Sequence, residues 1–136
     1  MPTLTIYMAS VGTPLRGGGT SIAGHIWYSI SDEFTGTTFS YGFGPSLSAI
    51  GIEKIFGSGS VYTSDSSHYL NSDPAKPVQS ISFEISTYEF QSFQKFGENP
   101  GTYGFDTFYN GLSNNCIDFV WRALNVAGFN KNGFQG

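Results

Sequence analysis

Charge is scarce in this chain. Only 12% of its residues are charged, six Lys and Arg stand against ten Asp and Glu, and the formal net charge is −4. No run of Lys or Arg occurs anywhere. Nucleic acid and anionic membrane surfaces usually need a basic face, so neither is expected as a partner. No stretch approaches the ~20 apolar residues of a membrane span, so no membrane span is expected. Met1 to Tyr7 carries neither the charged start nor the long apolar core of a secretory signal. Synthesis in the cytoplasm without a signal peptide is therefore expected, and activity elsewhere would need another route. The single cysteine, Cys116, excludes an internal disulfide. Two histidines, one cysteine and scattered acids give no metal-ligand spacing, so neither a metal nor another cofactor is expected.

What the chain does contain is apolar and aromatic. Hydrophobic residues make up 39% and aromatic ones 17% of 136 residues, the balance of a folded chain with a sizeable core. One domain spanning residues 1–136 is expected. Alternation marks strands at Leu4–Ser10, Ile22–Ile30, Thr37–Phe43 and Val78–Ile85. Pairing Ile30 with Thr37 would set His25 opposite Gly42 and Trp27 opposite Ser40, with Ser40 on the face of His25. A slip of one residue would bring Tyr41 there instead. The glycine-rich loop Val11–Gly19 has neither the Gly-Lys-Ser/Thr ending nor the GxGxxG spacing of a phosphate cradle. Gly44–Asp73 reads as a long, partly structured excursion, a candidate lid or substrate-binding loop, and His68 within it as an ordinary exposed histidine. Ser86-Thr87-Tyr88-Glu89 has the capping-box pattern and opens a helix to about Phe96, which Gly97 and Pro100 end. Gly101–Leu112 is an aromatic loop, and Phe129 onward a short tail.

The stretch Ser113-Asn114-Asn115-Cys116-Ile117-Asp118-Phe119-Val120-Trp121-Arg122-Ala123-Leu124 runs from polar loop residues straight into an apolar helix. Asn114 or Asn115 can cap it, since a side-chain oxygen there accepts from amides the first turn leaves unpaired. Apolar residues cover nearly the whole circumference, which predicts a central, buried helix ending at Gly128. Cys116 then lies in the first turn, where free amides and the helix dipole favour a thiolate. Asp118 reads as a capping group at that turn. A lone cysteine is more often a small buried hydrophobe. A histidine brought to it changes that weighting, because an imidazole can take the thiol proton or hold a thiolate as an ion pair. His25, in the aromatic strand, is the candidate, and the order of the two along the chain is free.

Tyr109-Asn110-Gly111-Leu112-Ser113-Asn114-Asn115-Cys116-Ile117-Asp118-Phe119-Val120 resembles the nucleophile segment of the NlpC superfamily of papain-like cysteine hydrolases, and Gly24-His25-Ile26-Trp27-Tyr28 is similar to its histidine strand. Histidine precedes cysteine here, as in the circularly permuted branch that includes the lecithin:retinol acyltransferase-like proteins. The resemblance implies an α+β, papain-like core, with an antiparallel sheet packed on a central helix bearing the cysteine. It implies Cys116 as nucleophile, His25 as general base, and Tyr109 and Asn115 at the oxyanion or substrate. The family's imidazole-orienting residue is His, Asn or Gln. None stands on Thr37–Phe43, which leaves Ser40 and Tyr41 as poor substitutes for the third member.

Three functions follow as expectations. The first is a cysteine amidase or endopeptidase acting on peptidoglycan, in the manner of exported antibacterial effectors. It would work in the periplasm of a target cell, with an immunity protein or a secretion apparatus as partner. The second is an acyltransferase or lipid esterase of the permuted branch. The third is a binding module in which His25 and Cys116 are core residues. The separation of His25 and Cys116 decides between the third and the other two.

Overall fold

The computed structural model describes residues 1–9, 24–46, 56–70, 78–110 and 115–129, except the side chains of 56 and 68–70. The chain is α+β. Its strands are β1 (Thr3–Ala9), β2 (His25–Asp32), β3 (Thr37–Pro45), β4 (Phe56–Tyr62), β5 (Val78–Glu84) and β6 (Phe108–Asn110). They form an antiparallel six-stranded sheet in the order β5-β1-β2-β3-β4-β6. The helices are α1 (Asp65–Leu70), α2 (Thr87–Glu98) and α3 (Cys116–Val126), with a short 3-10 turn at Pro100–Tyr103.

Alternation in the strands separates two faces. Leu4, Tyr28, Ile30, Tyr41 and Phe43 point to one, where Phe93 and Phe96 of α2 and Phe119, Val120, Ala123 and Leu124 of α3 close over them. Phe119 is the hub of this core: its ring packs on Tyr28, Phe43, Phe96 and Phe105. Each such fully buried ring contributes roughly 1.5–3 kcal/mol. The buried residues of α3 recur as Phe119, Val120, Ala123, Leu124 and Ala127, one stripe of a helix, while Arg122 and Asn125 are exposed. The helix is thus buried on one side only, despite its nearly all-round apolar sequence.

The helix ends follow the sequence closely. Ser86 caps α2 in a reciprocal box with Glu89, at 3.0 and 2.8 Å. Asn115 caps α3: its Oδ1 accepts from the amides of Ile117 and Asp118, and Asp118 Oδ2 accepts from the Asn115 amide. After α3, Gly128 takes φ 89° while its amide bonds Asn125 O and that of Phe129 bonds Leu124 O. This is the paired closure that a left-handed glycine allows.

Four expectations change. β2 starts at His25, because Gly24 has φ 83° and breaks the extended backbone before it; Ile22 and Ala23 lie outside the described residues. The β2–β3 turn takes only residues 33–36, so Ile30 pairs with Phe39, Ser29 with Ser40 and Trp27 with Gly42. That shift of two residues keeps Ser40 on the face of His25. Gly97 lies within α2, which ends at Glu98 with Asn99 as its cap. A Cβ at Gly97 would run into the Tyr41 ring, so the glycine is there for packing. Finally, Gly101–Leu112, expected as a loop, contains β6, while Gly44–Asp73 is partly structured as expected, with β4 and α1. The glycine-rich loop, the Asn114 cap and the side chain of His68 lie outside the described residues.

Candidate active site

Among the described residues, β2 and β3 pair from Asp32↔Thr37 to Trp27↔Gly42, beyond which β3 pairs with β4 and His25 pairs with Ala9 of β1. The imidazole stands where the two strands part. There it meets Asp65, the first residue of α1, and Cys116, the first residue of α3. His25 Nε2 lies 2.9 Å from Asp65 Oδ2, and Cys116 is near enough to act on the charge of the same imidazole. The acid is 1% exposed and the imidazole 8%, while the cysteine is half-buried and open to a reactant.

Burial alone would push the His25 pKa down, since it penalises the cation. The hydrogen bonds to Asp65 and Cys116, with the charges of both, outweigh burial and raise it from 6.5 to about 9. His25 is therefore an imidazolium at neutral pH. It supplies the counter-charge a thiolate needs and carries a proton ready for a leaving group. Its ring also stacks on Trp27, with centroids 5.4 Å apart.

Tyr109 of β6 is close enough to feel Cys116. Its hydroxyl is raised to about 12, first by burial and then by the charge at Cys116. It is thus a neutral donor beside the sulfur. Asn115 is adjacent in sequence, but its carbonyl oxygen is committed to the α3 amides. Its first duty is to build the turn from which Cys116 projects.

The imidazole's third partner is neither Ser40 nor Tyr41. Ser40 Oγ lies 3.3 Å from Ser66 Oγ, one residue beyond Asp65. Tyr41 points to the opposite face, tilted against Tyr28 and stacked on Phe39, where burial and then Glu98 raise its pKa to about 12. The acid Asp65 escaped the sequence reading because it sits inside a Gly/Ser-rich excursion, forty positions from His25. Its only signal was an acid flanked by Ser64, Ser66 and Ser67.

Cysteine, imidazole and carboxylate in series are the parts of nucleophilic catalysis: an attacking atom, a proton carrier and a group that orients the carrier. Among the described residues no group of three His, Cys, Asp or Glu is arranged to hold a metal, and no helix is long and apolar enough to cross a membrane. No family model, curated protein or solved structure matches this chain.

Proposed function

We propose that the protein is a cysteine hydrolase that cleaves an amide bond through Cys116, His25 and Asp65. The observation that carries this reading is one buried imidazole hydrogen-bonded to a carboxylate, with the cysteine that opens α3 acting on the charge of the same ring. A core histidine would need neither, and burying the Asp65 carboxylate is costly unless it is paired.

In the reaction, Cys116 Sγ attacks the carbonyl carbon, forming a C–S bond while the carbonyl becomes an oxyanion. The amide of Cys116, at the start of α3, and the neutral Tyr109 hydroxyl are donors on that side. The oxyanion collapses, the C–N bond breaks and His25 gives its proton to the departing amine. Water then loses a proton to His25 and attacks the thioester, and the C–S bond breaks to release the acid and restore the Cys116 thiolate beside the His25 imidazolium.

The likeness of the Tyr109–Val120 and Gly24–Tyr28 segments to NlpC-type hydrolases supports a permuted papain-like core and a peptide bond of bacterial peptidoglycan as the substrate. An exported antibacterial enzyme, met by an immunity protein, fits that substrate. Purified protein incubated with peptidoglycan sacculi should release muropeptide fragments, identified by mass spectrometry. Cys116→Ala should abolish the release, and His25→Ala should slow it by on the order of 10²-fold or more. Sacculi left intact by native protein whose thiol alkylates readily at low pH would sink the peptidoglycan assignment and direct the search to lipid or protein acyl substrates. An inert thiol would sink the hydrolase reading itself.

A further inference from the structure

Gly42 of β3 pairs with Trp27 and shares the face of His25 and Ser40. A Cβ added there would overlap Asp65 Oδ2 and stand 3.0 Å from both Asp65 Cγ and Trp27 Cβ. Oδ2 is the same oxygen that bonds His25 Nε2. The backbone does not require glycine at this position, since among the described residues positive φ occurs at Gly24, Gly36, Gly104 and Gly128 and not at Gly42. What requires it is the close approach of the carboxylate.

Two further contacts tie the start of α1 to this wall. Trp27 Nε1 donates to Ser66 Oγ at 3.0 Å, and Ser66 Oγ in turn lies 3.3 Å from Ser40 Oγ. Trp27 also stacks on the imidazole. The acid and the ring it orients are therefore both seated on the same β2–β3 wall, the acid through Gly42 and Ser66, the ring through Trp27. A carboxylate shifted by the width of one methyl group would leave hydrogen-bond reach of Nε2.

We propose that Gly42 and Ser66 are positioning residues: the bare Cα of Gly42 seats the Asp65 carboxylate, and the Trp27–Ser66–Ser40 hydrogen bonds hold the helix that carries it, so that together they orient His25. Neither residue acts on substrate itself. The inference rests on Asp65 being the partner of the reacting imidazole. Among the described residues, the ionisable groups that act on that ring are Asp65 from α1 and Cys116 from α3, with Tyr109 of β6 neutral and within reach of the charge at Cys116.

The test is an NMR titration of the histidine ring protons in the full chain. There are only two histidines, so His68→Ala assigns the signals. In the native protein the His25 midpoint is expected at about 9. Gly42→Ala should lower that midpoint by about one pH unit or more, the scale of losing an adjacent opposite charge. Asp65→Asn should do the same, and the double variant should move it no further than Asp65→Asn alone, because both remove one contact. Ser66→Ala should lower it by less. A Gly42→Ala protein whose His25 midpoint stays native while Asp65→Asn lowers it would overturn the positioning role and leave Cys116–His25–Asp65 intact. A native midpoint in Asp65→Asn would overturn the underlying reading as well. Should Gly42→Ala fail to fold, Ser66→Ala decides: an unmoved midpoint there overturns the proposal.

Discussion

Asp65 Oδ2 stands 2.9 Å from His25 Nε2, and both side chains are shut off from solvent. Removing one member of such a buried pair leaves the other charge uncompensated, at a cost of about 3–5 kcal/mol. Asp65→Ala should therefore lower both stability and hydrolysis. Asp65→Asn keeps an acceptor of the same shape, so it should retain more activity than the alanine variant. The comparison is made in kcat at one pH, with chemical denaturation alongside. Equal losses in the two variants would argue against an orienting role.

His25 makes stability depend on pH. Its folded value of about 9 exceeds the ordinary 6.5, so the native state holds a proton that the unfolded chain releases between those values. The stabilisation is full below 6.5, falls as pH rises toward 9 and is absent above it. At 1.36 kcal/mol per unit it amounts to roughly 3 kcal/mol. Denaturation midpoints measured from pH 6 to 10 should fall across that window. The slope should flatten in His25→Ala.

Asn115 offers a test of capping against chemistry. Asn115→Ala removes the acceptor for the Ile117 and Asp118 amides and should cost ~1 kcal/mol while loosening the turn that carries Cys116. Asp and Ser also cap well, so Asn115→Asp and Asn115→Ser should restore both stability and kcat. Restored stability with lost kcat would return Asn115 to a direct part in the reaction.

Gly97→Ala sets helix propensity against packing. Alanine improves an exposed helix position by ~1 kcal/mol over glycine. Here its methyl group would strike the buried Tyr41 ring, and overpacking of that kind costs about 1–3 kcal/mol. A net loss of stability is expected, read as a lower thermal midpoint. A gain would mean that the α2–β3 contact gives way easily.

Much of this architecture is local enough to read from the chain. Ser86-Thr87-Tyr88-Glu89 and Asn115-Cys116-Ile117-Asp118 close their caps within three residues, and the amides of Gly128 and Phe129 close α3 on carbonyls of its own last turn. The alternation of Val78–Glu84 and of Thr3–Ala9 depends on neighbours two positions away. Cys116 at a helix start and His25 on a strand belong to the same class of information.

The sequence by itself determined β1, β2, β3, β5, α2 and α3, and set Cys116 at a helix start and His25 on a strand, because capping and periodicity act over a few residues. Tertiary structure alone decided which carboxylate meets the imidazole. Asp65 reaches His25 only because β3 and β4 fold the chain back, α1 docks through Ser66 on Trp27, and Gly42 leaves its Cα bare. Contacts between residues forty positions apart depend on strand register, and the two-residue shift at the β2–β3 turn puts Gly42, rather than Ser40, opposite Trp27.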